Sequence, residues 1–243
     1  VDIQKEVNAY LEYNPDTFRG KTVLLPCDDP EWSNFTKFFA QNFEMLGLKK
    51  LISTSYASAS KKIEYHQITL FEMNSPQYDE KKTDTHGKIF VLEKDSDASG
   101  RIDINDLEGS YLEGDGDFRS EEVRKRRDEA DVIITNPPFA TIKGMRQEEK
   151  EFLKKNYPDA NCDTCVSFIV AIHNLLKPTG VCGIVSQNSW MHLKSFKEIR
   201  NYISLGTDYE EIKKVFPDYY DDILISLNDV TCYFQNGELS TEI

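Results

Sequence analysis

One junction constrains this chain more than any other feature. Asp131-Val132-Ile133-Ile134-Thr135 is an apolar, largely β-branched run, and Asn136-Pro137-Pro138-Phe139 follows it without a break. β-Branched residues suit a pleated, packed surface, so the run reads as a buried strand. Two prolines in succession fix φ and remove two backbone donors, so the strand must stop there. What remains is a stiff corner rich in hydrogen-bond acceptors. A buried strand that ends in such a corner fits an open α/β sheet, where ligands sit beyond the carboxyl ends of the strands. The plainer reading of the corner is a rigid turn with Phe139 in the core.

The rest of the chain follows the same plan. Thr22-Val23-Leu24-Leu25-Pro26-Cys27 is a short apolar run that leads into Asp28-Asp29-Pro30. Phe35, Phe38, Phe39, Phe43 and Leu46 then recur at helical spacing, with Ser33 as a cap and Gly47 as a stop. Lys50 to Thr54 reads as the second strand of a strand–loop–helix–strand unit. Residues 57–114 form a β-rich excursion, with strand character at Ile63 to Phe71 and Lys88 to Leu92 and a polar, turn-rich stretch from Asn74 to Gly87. Helices are expected at Ser120 to Glu129, from Gly144 to about Asn156, at Cys165 to Leu176 and at Ser195 to Ile203. Val181 to Gln187 is another buried strand, and Ile223 to Leu227 with Val230 to Phe234 reads as a closing antiparallel pair. The expected fold is a Rossmann-like α/β domain spanning residues 1–243. Its mixed sheet has about seven strands, with helices on both faces and no separate target-recognition domain.

Composition narrows the function. With 39% hydrophobic and 29% charged residues the chain can build a core. No apolar run reaches the roughly 18 residues of a membrane span, and no secretory signal is visible. The chain opens at Val1 rather than Met, so residues upstream are expected. Five cysteines read as free thiols in a reducing, cytoplasmic setting. The single Cys162-Asp163-Thr164-Cys165 pair cannot complete a four-ligand zinc site, and no histidine has a helical partner at metal spacing, so no metal site is expected. Forty-two acids against 29 bases give a net charge of −13. That argues against general nucleic-acid binding, which needs clustered Lys and Arg, unless a local patch does the work. Acids concentrate between Glu93 and Asp131. Bases gather at Lys49-Lys50, Lys61-Lys62, Arg124 to Arg127 and Lys143 to Lys155.

The corner itself carries chemistry. The Asn136 side-chain oxygen and the Pro137 carbonyl are acceptors suited to the two hydrogens of a planar NH₂. Held this way, the nitrogen lone pair turns out of conjugation. Pro138 completes the stiff pair, and Phe139 offers a ring on which a flipped base can stack.

Asn136-Pro137-Pro138-Phe139 resembles the catalytic motif of amino methyltransferases, in which Asn-Pro-Pro followed by an aromatic is typical of adenine-N6 enzymes. Leu24 to Phe35, Gly47 to Tyr56 and Gly114 to Ser120 resemble more narrowly the EcoRI-type adenine-specific DNA methyltransferases, over about residues 1–140. Beyond that, His173 to Gly180, Ile184 to Trp190 and Lys197 to Arg200 look more like the larger adenine methylases of type I and combined restriction–modification systems.

The resemblance implies a reaction: transfer of a methyl group from S-adenosylmethionine to a flipped adenine in double-stranded DNA, within a restriction–modification or phage/host modification system. It implies cofactor contacts at Cys27, Asp28, Asp29, Pro30 and Asn34, in a loop that lacks the usual glycines, and at Asp117 and Phe118, which match the position against the cofactor adenine. In related enzymes an acid at the end of the second strand holds the ribose; here that strand ends in Ser53-Thr54-Ser55-Tyr56. Target recognition is expected from the excursion, from residues outside this chain or from a separate subunit. Two other readings stay open: a methyltransferase acting on RNA adenine or a protein glutamine amide, and a catalytically silent binding subunit.

Overall fold

The computed structural model describes residues 3–26, 28, 33–57, 79–118, 120–137, 140–177, 180–186, 194–199, 231–235 and 238–242. The chain divides into two units, 1–133 and 134–243.

The first unit begins with α1 (Ile3–Tyr13), then β1 (Thr22–Leu25), α2 (Asn34–Gln41), α3 (Phe43–Leu46) and β2 (Lys50–Thr54). It continues through α4 (Glu80–Thr83), β3 (Lys88–Leu92), β4 (Glu108–Tyr111) and α5 (Glu121–Glu129), and ends within β5 (Val132–Thr135). Its strands lie in the order β4-β3-β2-β1-β5. β1 is central and parallel to both neighbours, with Val23 opposite Leu51 on one side and Val132 on the other. β2, β3 and β4 run antiparallel, with Ile52 opposite Val91 and Phe90 opposite Gly109. The chain leaves β1 for β2 on one side and returns to β5 on the other, so the order reverses at β1. In open α/β sheets such a switch point is where the outgoing loops diverge and ligands enter.

Burial explains why β1 is central. All four of its residues are buried, as the continuous run Thr-Val-Leu-Leu requires of a strand covered on both faces. Leu24, Leu25, Leu51, Ile52, Leu92 and Ile133 form the sheet's core. α2 lays Phe39 and Ala40 into that core, where the Phe39 ring meets Phe18 edge to face at 5.5 Å. Ser33 caps α2 by accepting the Thr36 N–H at 3.1 Å. The helix expected from Ser33 to Gly47 is interrupted at Asn42, and α3 ends on Gly47 in the left-handed conformation.

The second unit carries the end of β5, α6 (Gln147–Asn156), α7 (Thr164–His173), β6 (Val181–Ile184), β7 (Thr231–Gln235) and β8 (Glu238–Glu242). β7 runs antiparallel to β6 and to β8, with Gly183 opposite Tyr233 and Phe234 opposite Leu239. Just past β6, the Val185 N–H donates to the Thr135 carbonyl at 3.0 Å. α7 buries Ile169 and Ile172, and β6 buries Cys182 and Ile184. Cys162, Cys165 and Cys182 are free thiols.

The architecture is mixed α/β and Rossmann-like, with helices interspersed among the strands. The closing antiparallel pair is made differently from the expectation: the strand near Val230 to Phe234 is β7, and β8 is its C-terminal partner. The candidate strands Ile63 to Phe71 and Ile223 to Leu227, and the end of the helix at Ser195 to Ile203, lie outside the described residues. No helix among the described residues is long and apolar enough to cross a membrane.

Candidate active site

The loop after β1 is held by hydroxyls. The Asp28 N–H donates to the Thr54 carbonyl at 3.0 Å, which ties the loop to the end of β2. Ser33 Oγ donates to Asp28 Oδ2. Thr36 Oγ1 stands 3.1 Å from the same oxygen and 2.8 Å from Ser53 Oγ, and Ser53 Oγ donates to the Asp28 carbonyl at 3.3 Å. Thr36 and Ser53 are fully buried and Ser33 nearly so. Buried polar groups are costly unless paired, so these four residues stand or fall together. Asp28 therefore acts as the anchor of its loop. Asn34 is exposed on the first turn of α2. Cys27, Asp29 and Pro30 lie outside the described residues.

The same strand end holds a second loop. The Ser55 N–H donates to the Lys88 carbonyl at 2.9 Å, Ala57 N–H to Asp115 at 2.7 Å, and Gly87 N–H to Gly114 at 2.9 Å. Gly116 has φ +82, and a Cβ there would collide with the Ser55 carbonyl oxygen. Only glycine permits both that conformation and that approach. The clamp sets Asp117, half-buried, whose N–H donates to Asp115 Oδ1 at 3.0 Å. Phe118 is buried, with the Arg127 guanidinium 4.8 Å from its ring centre on one face. Ser53 and Thr54 both serve the Asp28 loop, so the position where related enzymes carry a ribose-binding acid has a different task here.

In the second unit the corner is bracketed. Thr135 accepts from Val185 on the entry side. On the exit side the Ala140 N–H donates to Thr164 Oγ1 at 2.9 Å, and the Thr164 N–H donates back to the Ala140 carbonyl at 3.0 Å. Ile142 N–H adds a bond to the Cys162 carbonyl at 3.1 Å, and Thr141 forms an antiparallel bridge with Asp163. Between these ties Asn136 is exposed and Pro137 is buried. Pro138 and Phe139 lie outside the described residues.

Asp163 and Thr164 stand out in the sequence only as the spacer of the Cys162–Cys165 pair, yet they form the start of α7 that holds the exit. Their signal was an Asp directly before an apolar helix, a capping pattern. Asp163 accepts the Cys165 N–H at 2.8 Å. Burial pushes its carboxyl up, against the lowering effect of that bond. Burial likewise pushes the Cys162 thiol up, which disfavours the thiolate that metal or redox chemistry requires.

A Rossmann-like sheet whose order reverses at β1, followed by Asn-Pro-Pro after β5, is the arrangement expected of an amino methyltransferase. Residues 1–156 match the family of the adenine-specific methyltransferase EcoRI, and the chain belongs to that family. It is 31% identical over 176 residues to the type II methyltransferase M.EcoRI of Escherichia coli, a match covering 72% of this chain and 47% of that protein. Similarity to the type II methyltransferase M.MgeORF184P of Mycoplasma genitalium is 28% over 156 residues, covering 63% of this chain and 37% of that one. A 73-residue stretch is 37% identical to the adenine-specific methyltransferase BrxX of Escherichia coli O9:H4 (strain HS), covering 30% of this chain and 6% of that protein. The chain thus spans less than half the length of each of these relatives.

Proposed function

We propose that this chain is the catalytic part of a DNA methyltransferase that places a methyl group on the exocyclic nitrogen of adenine. The observation that carries the reading is Asn136, exposed beside a buried Pro137 in a corner tied down at both ends. The Asn136 amide oxygen and the Pro137 carbonyl accept the two hydrogens of the amine. As the nitrogen gains positive charge, fixed acceptors hold it more tightly than in the ground state, which lowers the barrier. The prolines remove backbone donors that would compete for those acceptors. A base reached in this way must leave the duplex, and Phe139 is the candidate ring for it to stack on.

The first unit fits the cofactor that the family implies. The start of α2, with Asn34, offers backbone donors for a carboxylate. The half-buried Asp117 offers an acceptor for an adenine amino group, and the neighbouring Phe118 is the candidate ring for its base face. When bound, S-adenosylmethionine supplies an electrophilic methyl group. Cys27, Asp28, Asp29 and Pro30 shape the loop on its methionine side. With a net charge of −13, grip on DNA and choice of target fall to the 57–114 excursion, to residues outside this chain or to a partner subunit.

Tritiated methyl transfer offered to duplex DNA, RNA and protein in parallel tests the reading. Label on DNA adenine is expected. Label on RNA or glutamine alone would overturn the substrate, and binding of S-adenosylmethionine without transfer to any of the three would overturn the activity.

A further inference from the structure

The excursion between β3 and β4 contains twelve residues that the methyl-transfer chemistry does not use: Asp95-Ser96-Asp97-Ala98-Ser99-Gly100-Arg101-Ile102-Asp103-Ile104-Asn105-Asp106. We propose that they form a calcium-binding loop of the EF-hand type.

The spacing points to the ion before any geometry does. Such loops carry oxygen ligands at positions 1, 3, 5, 9 and 12, use the backbone carbonyl at 7, and need glycine at 6 for a sharp turn. Here those positions are Asp95, Asp97, Ser99, Asp103, Asp106, Arg101 and Gly100. Ser99 and Gly100 are what distinguish the stretch from a run of acids, because neither adds charge and both stand where the ion requires them. The departures are two: Ser rather than Asp or Asn at position 5, an uncharged oxygen ligand, and Asp rather than Glu at position 12, a ligand arm shorter by one methylene.

The structure adds the placement. One oxygen each from Asp95, Asp97 and Asp106 lie within 4.8 Å of one another. Calcium holds oxygens at about 2.3–2.6 Å, so ligands across the ion stand roughly 4.6–5.2 Å apart. Gly100 turns at φ +84. Its N–H donates to Asp95 Oδ2 at 2.7 Å, and the Ser99 N–H donates to Asp95 Oδ1 at 3.1 Å. Ser99 Oγ reaches the Arg101 carbonyl at 3.1 Å, so the oxygens of positions 5 and 7 adjoin. Asp103 caps the short 3₁₀ turn Ile104–Asp106, which delivers the twelfth residue. Asp106 is only 2% exposed.

The backbone N–H groups of Asp103, Ser96 and Asp97 donate to the Asp106 carboxyl at 3.0, 2.7 and 3.1 Å, which fixes its place in the loop. Three converging acids, Asp95, Asp97 and Asp106, repel one another, and a divalent cation removes that repulsion. Oxygen donors in a flexible loop suit calcium better than magnesium, which demands a near-ideal octahedron. The Ile102 N–H donates to Glu44 Oε1 on α3 at 2.9 Å, so an ion here would stiffen the excursion where it meets α3.

The inference is independent of the methyl-transfer reading, and its test reads binding alone. The full chain, stripped with a chelator, is titrated calorimetrically with calcium chloride and separately with magnesium chloride. One equivalent of calcium is expected, with a dissociation constant between about 10⁻⁷ and 10⁻³ M and weaker magnesium binding. Asp97→Asn, at an exposed position, should weaken calcium by about tenfold or more through loss of a charged ligand. Ser99→Ala should weaken it less, and circular dichroism should match the parent in both. The thermal midpoint of the parent should rise with calcium more than that of Asp97→Asn. No uptake at millimolar calcium, or uptake undiminished in both variants, would overturn the proposal.

Discussion

The loop after β1 and the corner after β5 are stiffened by different physics. Around Asp28, rigidity comes from a network: Ser33, Thr36 and Ser53 are buried hydroxyls that share one carboxylate and one carbonyl. At Asn136 rigidity is covalent, set by the proline pair, and needs only a tie at each end, Thr135 to Val185 and Ala140 to Thr164. A network distributes its energy over all its members, so damage anywhere loosens the loop and costs stability. A covalent corner holds its shape when a ligand is removed, so under the proposed function damage there is expected to cost chemistry and leave the fold alone.

The sharpest way to break this contrast is Asn136→Ala. Removing one preorganised group from a developing charge typically lowers turnover by about 10²–10³. The variant should lose methyl transfer on that scale and keep the parent's thermal midpoint, because Asn136 is exposed. A variant that unfolds would put this corner in the same class as the Asp28 network.

Gly116→Ala should act in the opposite way. A left-handed non-glycine residue costs about 1–2 kcal/mol, and the clash with the Ser55 carbonyl adds to that. Chemical denaturation should show a loss of about 2 kcal/mol or more, with weaker S-adenosylmethionine binding by calorimetry. Thr36→Val belongs beside it: leaving buried partners unsatisfied costs about 1–3 kcal/mol, again read in stability first.

Thr164→Val removes the hydroxyl that receives the Ala140 N–H while keeping the shape of the side chain. Its transfer rate should fall by about tenfold, in proportion to a net hydrogen bond of about 1–1.5 kcal/mol. Thr164→Ser should restore it, with the Michaelis constant for the cofactor unchanged in both.

The smallest effect belongs to Asp163→Asn. Asparagine caps helices as well as aspartate does, and the substitution removes the burial penalty on a charge. Because the folded-state value of Asp163 is raised, the parent gains stability as pH falls through that raised value and levels off below the unfolded one. The variant lacks this gain. Its advantage should be present at neutral pH and close on acidification, as followed by melting curves across pH.

The apolar elements were legible because their periodicity is strong. Thr22 to Leu25, Lys50 to Thr54, Lys88 to Leu92 and Asp131 to Thr135 stand where the alternation of apolar runs and turn residues places them. β4 was not, because Glu108-Gly109-Ser110-Tyr111 is a short, polar edge strand whose pairing with β3 is a tertiary fact. α1 went unread although Ile3, Val7 and Leu11 recur at a spacing of four. The β7–β8 hairpin was misassigned at its partner, though Asn236-Gly237 between them is a strong hairpin dipeptide. Of the proposed site, the tetrapeptide and the Asp28 and Asp117 loops could be named from the sequence. Their supports could not: Thr36, Ser53, Gly116 and Thr164 act through partners as far as 61 residues away, such as the Ser55 carbonyl beside Gly116.

The most direct test of the account compares the parent chain with Asn136→Ala on duplex oligonucleotides, with modified nucleosides identified by mass spectrometry and cofactor affinity measured on the same samples. The account predicts N6-methyladenine from the parent, and a variant that binds S-adenosylmethionine as tightly but makes almost none. Near-normal N6-methyladenine from Asn136→Ala, or a parent that methylates only a different atom, would contradict it.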